Sequence, residues 1–135
     1  MSLLCLGLVA CGFNTSPPAP SANASSSPPV AMPSNFPADV PIYPKARLAA
    51  AASFESSTRV TWGMEWETPD PVTKVQTFYA SQMNQGDWTI TFASAAVDRV
   101  AATFARKSNS HAGGTLAAYP EGGLTQILMS LTSPR

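Results

Sequence analysis

The stretch that decides the fold is Thr58-Arg59-Val60-Thr61-Trp62-Gly63-Met64-Glu65-Trp66-Glu67. Large apolar side chains fall on every second position: Val60, Trp62, Met64 and Trp66. Thr61, Glu65 and Glu67 occupy the alternate positions. Successive side chains of an extended chain point to opposite faces, so this is a strand with one face in a core and one in water. An Ala-rich run over residues 46–55 precedes it, with Glu55-Ser56-Ser57 as a hairpin turn.

The period then changes from two to three and four. Val72, Val75, Phe78, Tyr79 and Met83 line one side of a helix; Lys74, Gln76, Thr77, Ser81 and Gln85 line the other. Asp70 suits the N-cap, Pro71 the first helical position and Gly86 a left-handed stop. Alternation returns in Trp88, Ile90 and Phe92, and again over residues 99–106 with Val100, Ala102 and Phe104. Asn109 to Gly114 reads as a loop. Residues 115–119 and 124–132 pair across Pro120-Glu121-Gly122-Gly123, with Ile127, Met129 and Leu131 on one face. The order ββαββββ with short connections predicts an α+β fold: one twisted antiparallel sheet with a single helix packed on one face.

Upstream the composition shifts. Residues 12 to 35 are mostly Ser, Pro, Ala and Asn and carry no charged side chain, which predicts a disordered, partly polyproline tether. Ahead of it, residues 3 to 11 are uninterrupted apolar or small residues. That run is shorter than the roughly 20 residues a spanning helix needs and fits the apolar core of a secretory signal. No Lys or Arg occurs before Lys45, so a basic stretch is expected upstream of the residues given. Leu8-Val9-Ala10-Cys11 resembles the lipobox of bacterial lipoproteins. The resemblance implies cleavage before Cys11, thioether lipidation of its thiol and acylation of the new amino terminus.

Phe36-Pro37-Ala38-Asp39-Val40-Pro41-Ile42-Tyr43-Pro44-Lys45-Ala46 leads into the domain. Its prolines hold it extended, and Phe36, Val40, Ile42 and Tyr43 are large enough to lie on a core. The segment resembles the FPxDVPxYPxA entrance of uncharacterised bacterial lipoproteins, in which a Ser/Pro linker leads into a small α+β domain. Three regions follow: a signal over residues 1–10, a lipidated cysteine and linker over 11–35, and the domain over 36–135.

Charged residues make up 12% of the chain and its net charge is zero. The usual share is about 25%. No basic stripe is present, which argues against a nucleic-acid partner. Both cysteines, Cys5 and Cys11, lie at the amino terminus, so the domain has no thiolate for a metal site. Trp62, Trp66, Glu65 and Glu67 are candidate ligand-binding residues: indoles stack on sugar rings, and paired carboxylates hold cations or move protons. Alternation of the tryptophans opposite an amphipathic helix favours the core. His111 sits in a Ser/Asn/Gly loop with no local partner, and Arg106-Lys107 reads as a solvated strand end. No Gly-x-Ser-x-Gly elbow or phosphate-binding loop occurs, so no catalytic residue, cofactor or metal is implied.

The expected protein is a non-enzymatic lipoprotein, anchored through Cys11 to the cell or outer membrane and facing the periplasm or exterior. Its domain would bind an envelope protein or a cell-wall ligand. The alternative is a structural or accessory subunit of an envelope complex; a hydrolytic enzyme is the least favoured.

Overall fold

The computed structural model describes residues 29–93 and 96–135. The expected signal, Cys11 and most of the expected tether lie outside these residues. The architecture is α+β: one open antiparallel sheet of six strands and one α-helix. The strands are β1 (Arg47–Glu55), β2 (Arg59–Thr68), β3 (Trp88–Phe92), β4 (Val100–Arg106), β5 (Gly113–Glu121) and β6 (Leu124–Pro134). The helix α1 (Val72–Gln82) follows β2 and runs on into a 3-10 turn, Met83–Gln85, which the helical periodicity alone does not separate.

The sheet order is β1-β2-β6-β5-β4-β3. Strands β3 to β6 form a meander, and the β1–β2 hairpin adds to it through β2–β6 pairing. The chain leaves β2 and must reach β3 at the far edge. Helix α1 makes that crossing over one face of the sheet, with Val72, Val75 and Tyr79 buried on it. Val60, Trp62, Met64 and Trp66 from β2 join Ile127, Met129 and Leu131 from β6 on that face. Leu116, Ala118, Val100, Ala102, Phe104, Trp88 and Ile90 complete it.

Several local expectations are corrected. Pro71, in an extended conformation, is the N-cap residue and provides no side-chain bond. Asp70 instead accepts hydrogen bonds from Tyr43 Oη at 2.7 Å and Lys74 Nζ at 3.4 Å. Gly86 has φ −102° and ψ −147°, outside the left-handed region. The stop there is made by Lys107, whose Nζ donates to the carbonyls of Gly86 at 2.8 Å and Asn84 at 3.2 Å. Gly113 and Gly114 belong to β5 rather than to a loop. A Cβ on Gly114 would stand 1.7 Å from the Ser130 carbonyl oxygen, so only glycine lets β6 approach there. Gly122 and Gly123, at φ 58° and 80°, make the two-residue β5–β6 hairpin turn, whose handedness matches strand twist.

Helix α1 is too short to cover the whole apolar face. The rest is covered by an arm, residues 33–46, lying before β1. Phe36 packs edge-on against Trp62 and Trp66, with ring centroids 6.0 and 6.4 Å away. Val40 is buried, and Tyr43 packs edge-on against Phe78 of α1 at 5.2 Å. Ile42, expected on the core, is 37% exposed. Ile42 lies between two of the arm's turns, where neighbouring side chains of an extended segment point opposite ways, so with Tyr43 inward Ile42 faces out.

Polar clips fix the arm. Trp62 Nε1 donates to Asn35 Oδ1 at 2.9 Å. Asp39 accepts both guanidinium nitrogens of Arg106, at 2.8 and 3.1 Å, and the Trp88 indole N–H at 3.2 Å. The Arg106 guanidinium also lies 4.3 Å from the Trp88 ring centroid and donates to Asp87. Arg106 and Lys107 are therefore not a solvated strand end: Arg106 bridges the arm to β3, and Lys107 closes the 3-10 turn. Bidentate pairing of this kind fixes geometry as well as charge.

Two predictions follow from this packing. Gly114→Ala should destabilise the domain by about 3 kcal/mol or more, since the backbone must move to admit the methyl. A Cβ on Gly63 meets nothing within 4 Å, so Gly63→Ala should be neutral or stabilising by about 0.5 kcal/mol. Urea denaturation midpoints check both.

A third prediction concerns pH. Burial, then the Asp70 carboxylate, pushes the Tyr43 phenol from 10.0 up to about 12. Its folded-state stabilisation is complete below about pH 10 and lost as pH rises towards 12. Asp70 is held below its ordinary value, chiefly by the Tyr43 hydrogen bond. Its contribution is present above the unfolded carboxylate pKa, about 3.9, and lost as pH falls below it. Thermal melting of Tyr43→Phe across pH 2–12 should show a lower maximum and a shallower decline at both ends.

Candidate functional site

The face of the sheet opposite α1 and the arm is open to solvent. Its side chains can be followed in rows across the strands. The first row is Arg47, Glu67, Gln126 and Tyr119, from β1, β2, β6 and β5. The Arg99 guanidinium continues it, 5.5 Å from the Tyr119 ring centroid. The second row is Ala50, Glu65, Leu128, Ala117 and Ala101. The third is Ala52, Gly63, Ser130, Thr115, Thr103 and Thr91.

Beyond the first row most positions on this face are alanine, glycine, serine or threonine, with Glu65, Leu128 and, at the β1 edge opposite Thr61, the exposed Phe54 as the larger side chains. Short side chains leave hollows between them. A shallow trough of about 340 Å³ lies over Ala50, Gly63, Glu65, Ala117, Leu128 and Ser130. A second of about 350 Å³ adjoins it through Thr115 and Ala117 and reaches Phe92. Gly63 lines the first hollow, where an added Cβ would meet nothing within 4 Å.

The two glutamates are separated in role. Glu67 is held in the first row by Arg47 and by Gln126 Nε2, which donates at 3.3 Å. The Arg47 hydrogen bond, then that of Gln126, holds its carboxyl below the usual range. Glu65 lies one row away between Ala50 and Leu128, with no ion pair among the described residues. It is the one charge in the first trough. The i, i+2 spacing places both carboxylates on this face, but only Glu65 has its charge uncommitted.

Trp62 and Trp66, the other candidate ligand-binding residues, are 3% and 1% exposed. They lie beneath Phe36 on the core side and form no exposed stacking platform, because strand alternation puts them on the face opposite Glu65. Trp88 is equally buried. His111 stands exposed in the β4–β5 loop, where its backbone N–H donates to Asn109 Oδ1 at 3.1 Å. It lies at the end of the sheet remote from the Glu67 row, since Gly113 pairs with Thr132 and Glu67 with Gln126. Glu65, Glu67 and His111 are thus not assembled into one site. No group of three metal-ligating side chains occurs among the described residues.

Among the described residues, two buried side-chain polar atoms lack partners. Tyr79 is wholly buried, and its hydroxyl lies against the Tyr43 backbone without a well-formed hydrogen bond. Burial pushes its phenol well above the ordinary value. Gln126 Oε1, at the end of the trough face, is also unpaired. The trough residues Thr115, Ala117, Leu128 and Ser130 were missed by sequence reasoning. Their only signal is the small, uncharged alternate positions of β5 and β6, which becomes visible once register is known.

No curated protein and no solved structure matches the chain significantly. A family model described as START domain-like matches residues 49–122, more than half of the 135 residues. The match runs from β1 through β5; the arm and β6 lie outside it. The chain belongs to the START domain-like family.

Proposed function

We propose that this chain is a membrane-anchored lipoprotein of the bacterial envelope, tethered through Cys11, whose domain over residues 36–135 binds rather than catalyses. The domain would face the periplasm or cell exterior on its Ser/Pro linker and take a protein or small envelope ligand on the open sheet face. The observation that carries the binding role is the trough floored by Gly63 and Leu128 with the uncommitted Glu65 carboxylate in it. A carboxylate among methyl and hydroxyl groups selects a partner that presents a cation within an otherwise neutral surface. Membership of the START domain-like family fits a ligand-binding domain.

The anchor rests on sequence: Leu8-Val9-Ala10-Cys11 followed by an uncharged Ser/Pro run. Among the described residues no helix is long and apolar enough to cross a membrane. Several acyl chains, each CH₂ worth about 0.8 kcal/mol when buried, would hold the protein to the bilayer.

A second reading, a structural or accessory subunit, is favoured by strand β1. Among the described residues it is a sheet edge, with Phe54 72% exposed. Such an edge invites strand addition by another protein.

Two measurements test the proposal. Palmitate should label the wild-type chain and not Cys11→Ala; equal labelling, or none in either, rejects the anchor. For the binding face, Gly63→Leu fills the trough without a backbone clash and Glu65→Gln removes its charge. Chemical cross-linking in intact envelopes should yield an adduct with wild type that both variants lose at least tenfold, with melting temperatures unchanged. An adduct that survives both substitutions places binding elsewhere.

A further inference from the structure

A fourth row completes the open face of the sheet: Phe54, Thr61, Thr132, Gly113, Ala105 and Thr89, from β1, β2, β6, β5, β4 and β3. Across the second, third and fourth rows Glu65 is the one charged side chain. A surface facing water usually has roughly a quarter to a third of its residues charged. Depletion of charge is instead the mark of the core of an interface. Among the described residues, two charges of this face have no ion pair, Glu65 and Arg99, whereas Arg47 and Glu67 neutralise each other. The two free charges stand on opposite halves of the sheet, Glu65 in β2 and Arg99 immediately before β4.

The order β1-β2-β6-β5-β4-β3 has its centre between β6 and β5. Consider two copies stacked open face to open face, with a two-fold axis along the mean strand direction at that centre. Strand β2 of one copy then lies over β4 of the other, β6 over β5 and β1 over β3, and every row lies over its own equivalent. Twisted sheets stack in this aligned way, with strands about 30° apart. Large side chains meet small ones: Leu128 lies over Ala117, Thr103 over Gly63 and Thr132 over Gly113. The trough over β1, β2 and β6 faces the one over β3 and β4. Phe54, 72% exposed in the single chain, comes over Thr89. Glu65 comes over Ala101, with Arg99 of the other copy one row along the same strand.

We propose that the open sheet face joins two copies of this chain, with Glu65 of each copy paired to Arg99 of the other. The inference rests on the reading of the trough as a binding site and names its partner. That trough selects a partner presenting a cation within a neutral surface, and the half of the same face that carries Arg99 is such a surface. The symmetry forms the ion pair twice and closes the assembly, because one face serves both copies. It also brings the half with the free acid over the half with the free base, so opposite signs meet throughout. Area is sufficient. Six strands about 4.8 Å apart and four rows about 6.8 Å apart give a footprint of about 24 by 20 Å on each copy, and side-chain relief carries the total buried surface past the roughly 1,000 Å² of a specific interface.

Sedimentation equilibrium tests the pairing on full chains carrying Cys5→Ser and Cys11→Ser, which removes lipid and disulfides from the measurement. The expected result is a reversible monomer–dimer equilibrium that salt weakens. Glu65→Arg and Arg99→Glu should each weaken it roughly tenfold or more, with melting temperatures unchanged, because each sets like charges opposite one another. An equimolar mixture of the two variants should dimerise again. In the mixed pair the base introduced at position 65 meets the acid introduced at position 99, and the remaining native Glu65 meets the remaining native Arg99. A mass tag on one variant should show that the restored species is the one-to-one mixed dimer. A merely structural role for either side chain gives no such rescue. A chain that stays monomeric at every concentration, or a dimer indifferent to both reversals, overturns the proposal. In either case loss of the envelope adduct in Glu65→Gln still upholds the trough as a site for another protein, whereas survival of that adduct also overturns the trough reading.

Discussion

The structure depends on covering one face of one sheet. Strand β2 alone places Val60, Trp62, Met64 and Trp66 on that face, and Trp88 and Phe104 lie towards the other edge. Apolar area of that size exposed to water would be incompatible with a stable domain of about a hundred residues. Helix α1 has eleven residues and covers only part of it. The remainder falls to a proline-rich arm that has no regular secondary structure. Its Phe36 and Tyr43 supply the apolar cover, and its Asn35 and Asp39 accept the indole N–H groups of Trp62 and Trp88. Those N–H groups would otherwise be buried without partners, which costs more than the bonds themselves contribute.

This division of labour leaves the second face of the sheet open to solvent. With the core built on one side, the outward positions carry no packing constraint, and most hold residues of minimal size. Within the first trough Glu65 is the one charge, while its neighbour Glu67 is tied to Arg47 and Gln126. A sheet face of this composition has little intrinsic adhesiveness, since it has few large apolar groups and few charges. Recognition there would rest on shape and on one ion pair.

The fold class was legible because the periodicities are clean. Alternation in β2, β3 and β6, and the three- and four-residue steps of α1, each reflect burial on one face, and burial is what the structure finds at Trp62, Trp88, Ile127 and Val75. What was not legible depends on neighbours distant in sequence. Gly114 looks like a loop glycine until Ser130 is seen against it. Arg106 looks solvated because its partner Asp39 lies 67 residues away. Asp70 looks like a cap because nothing local announces Tyr43. The separation of Glu65 from Glu67 was equally hidden, since it is decided by which residues of β1 and β6 stand opposite them. The burial of Trp62 and Trp66 was legible in pattern, whereas the arm as their cover was visible only as four large residues among prolines.

The central claim is that the arm, and not the helix alone, seals the tryptophan face. Tryptophan emission and acrylamide quenching of the full chain, compared with Phe36→Ser/Val40→Ser/Tyr43→Ser, test it most directly. A sealed face predicts blue-shifted, poorly quenched emission in the wild type, and red-shifted, readily quenched emission in the variant with its far-ultraviolet strand signal retained. Emission and quenching that are the same in both proteins would contradict the account.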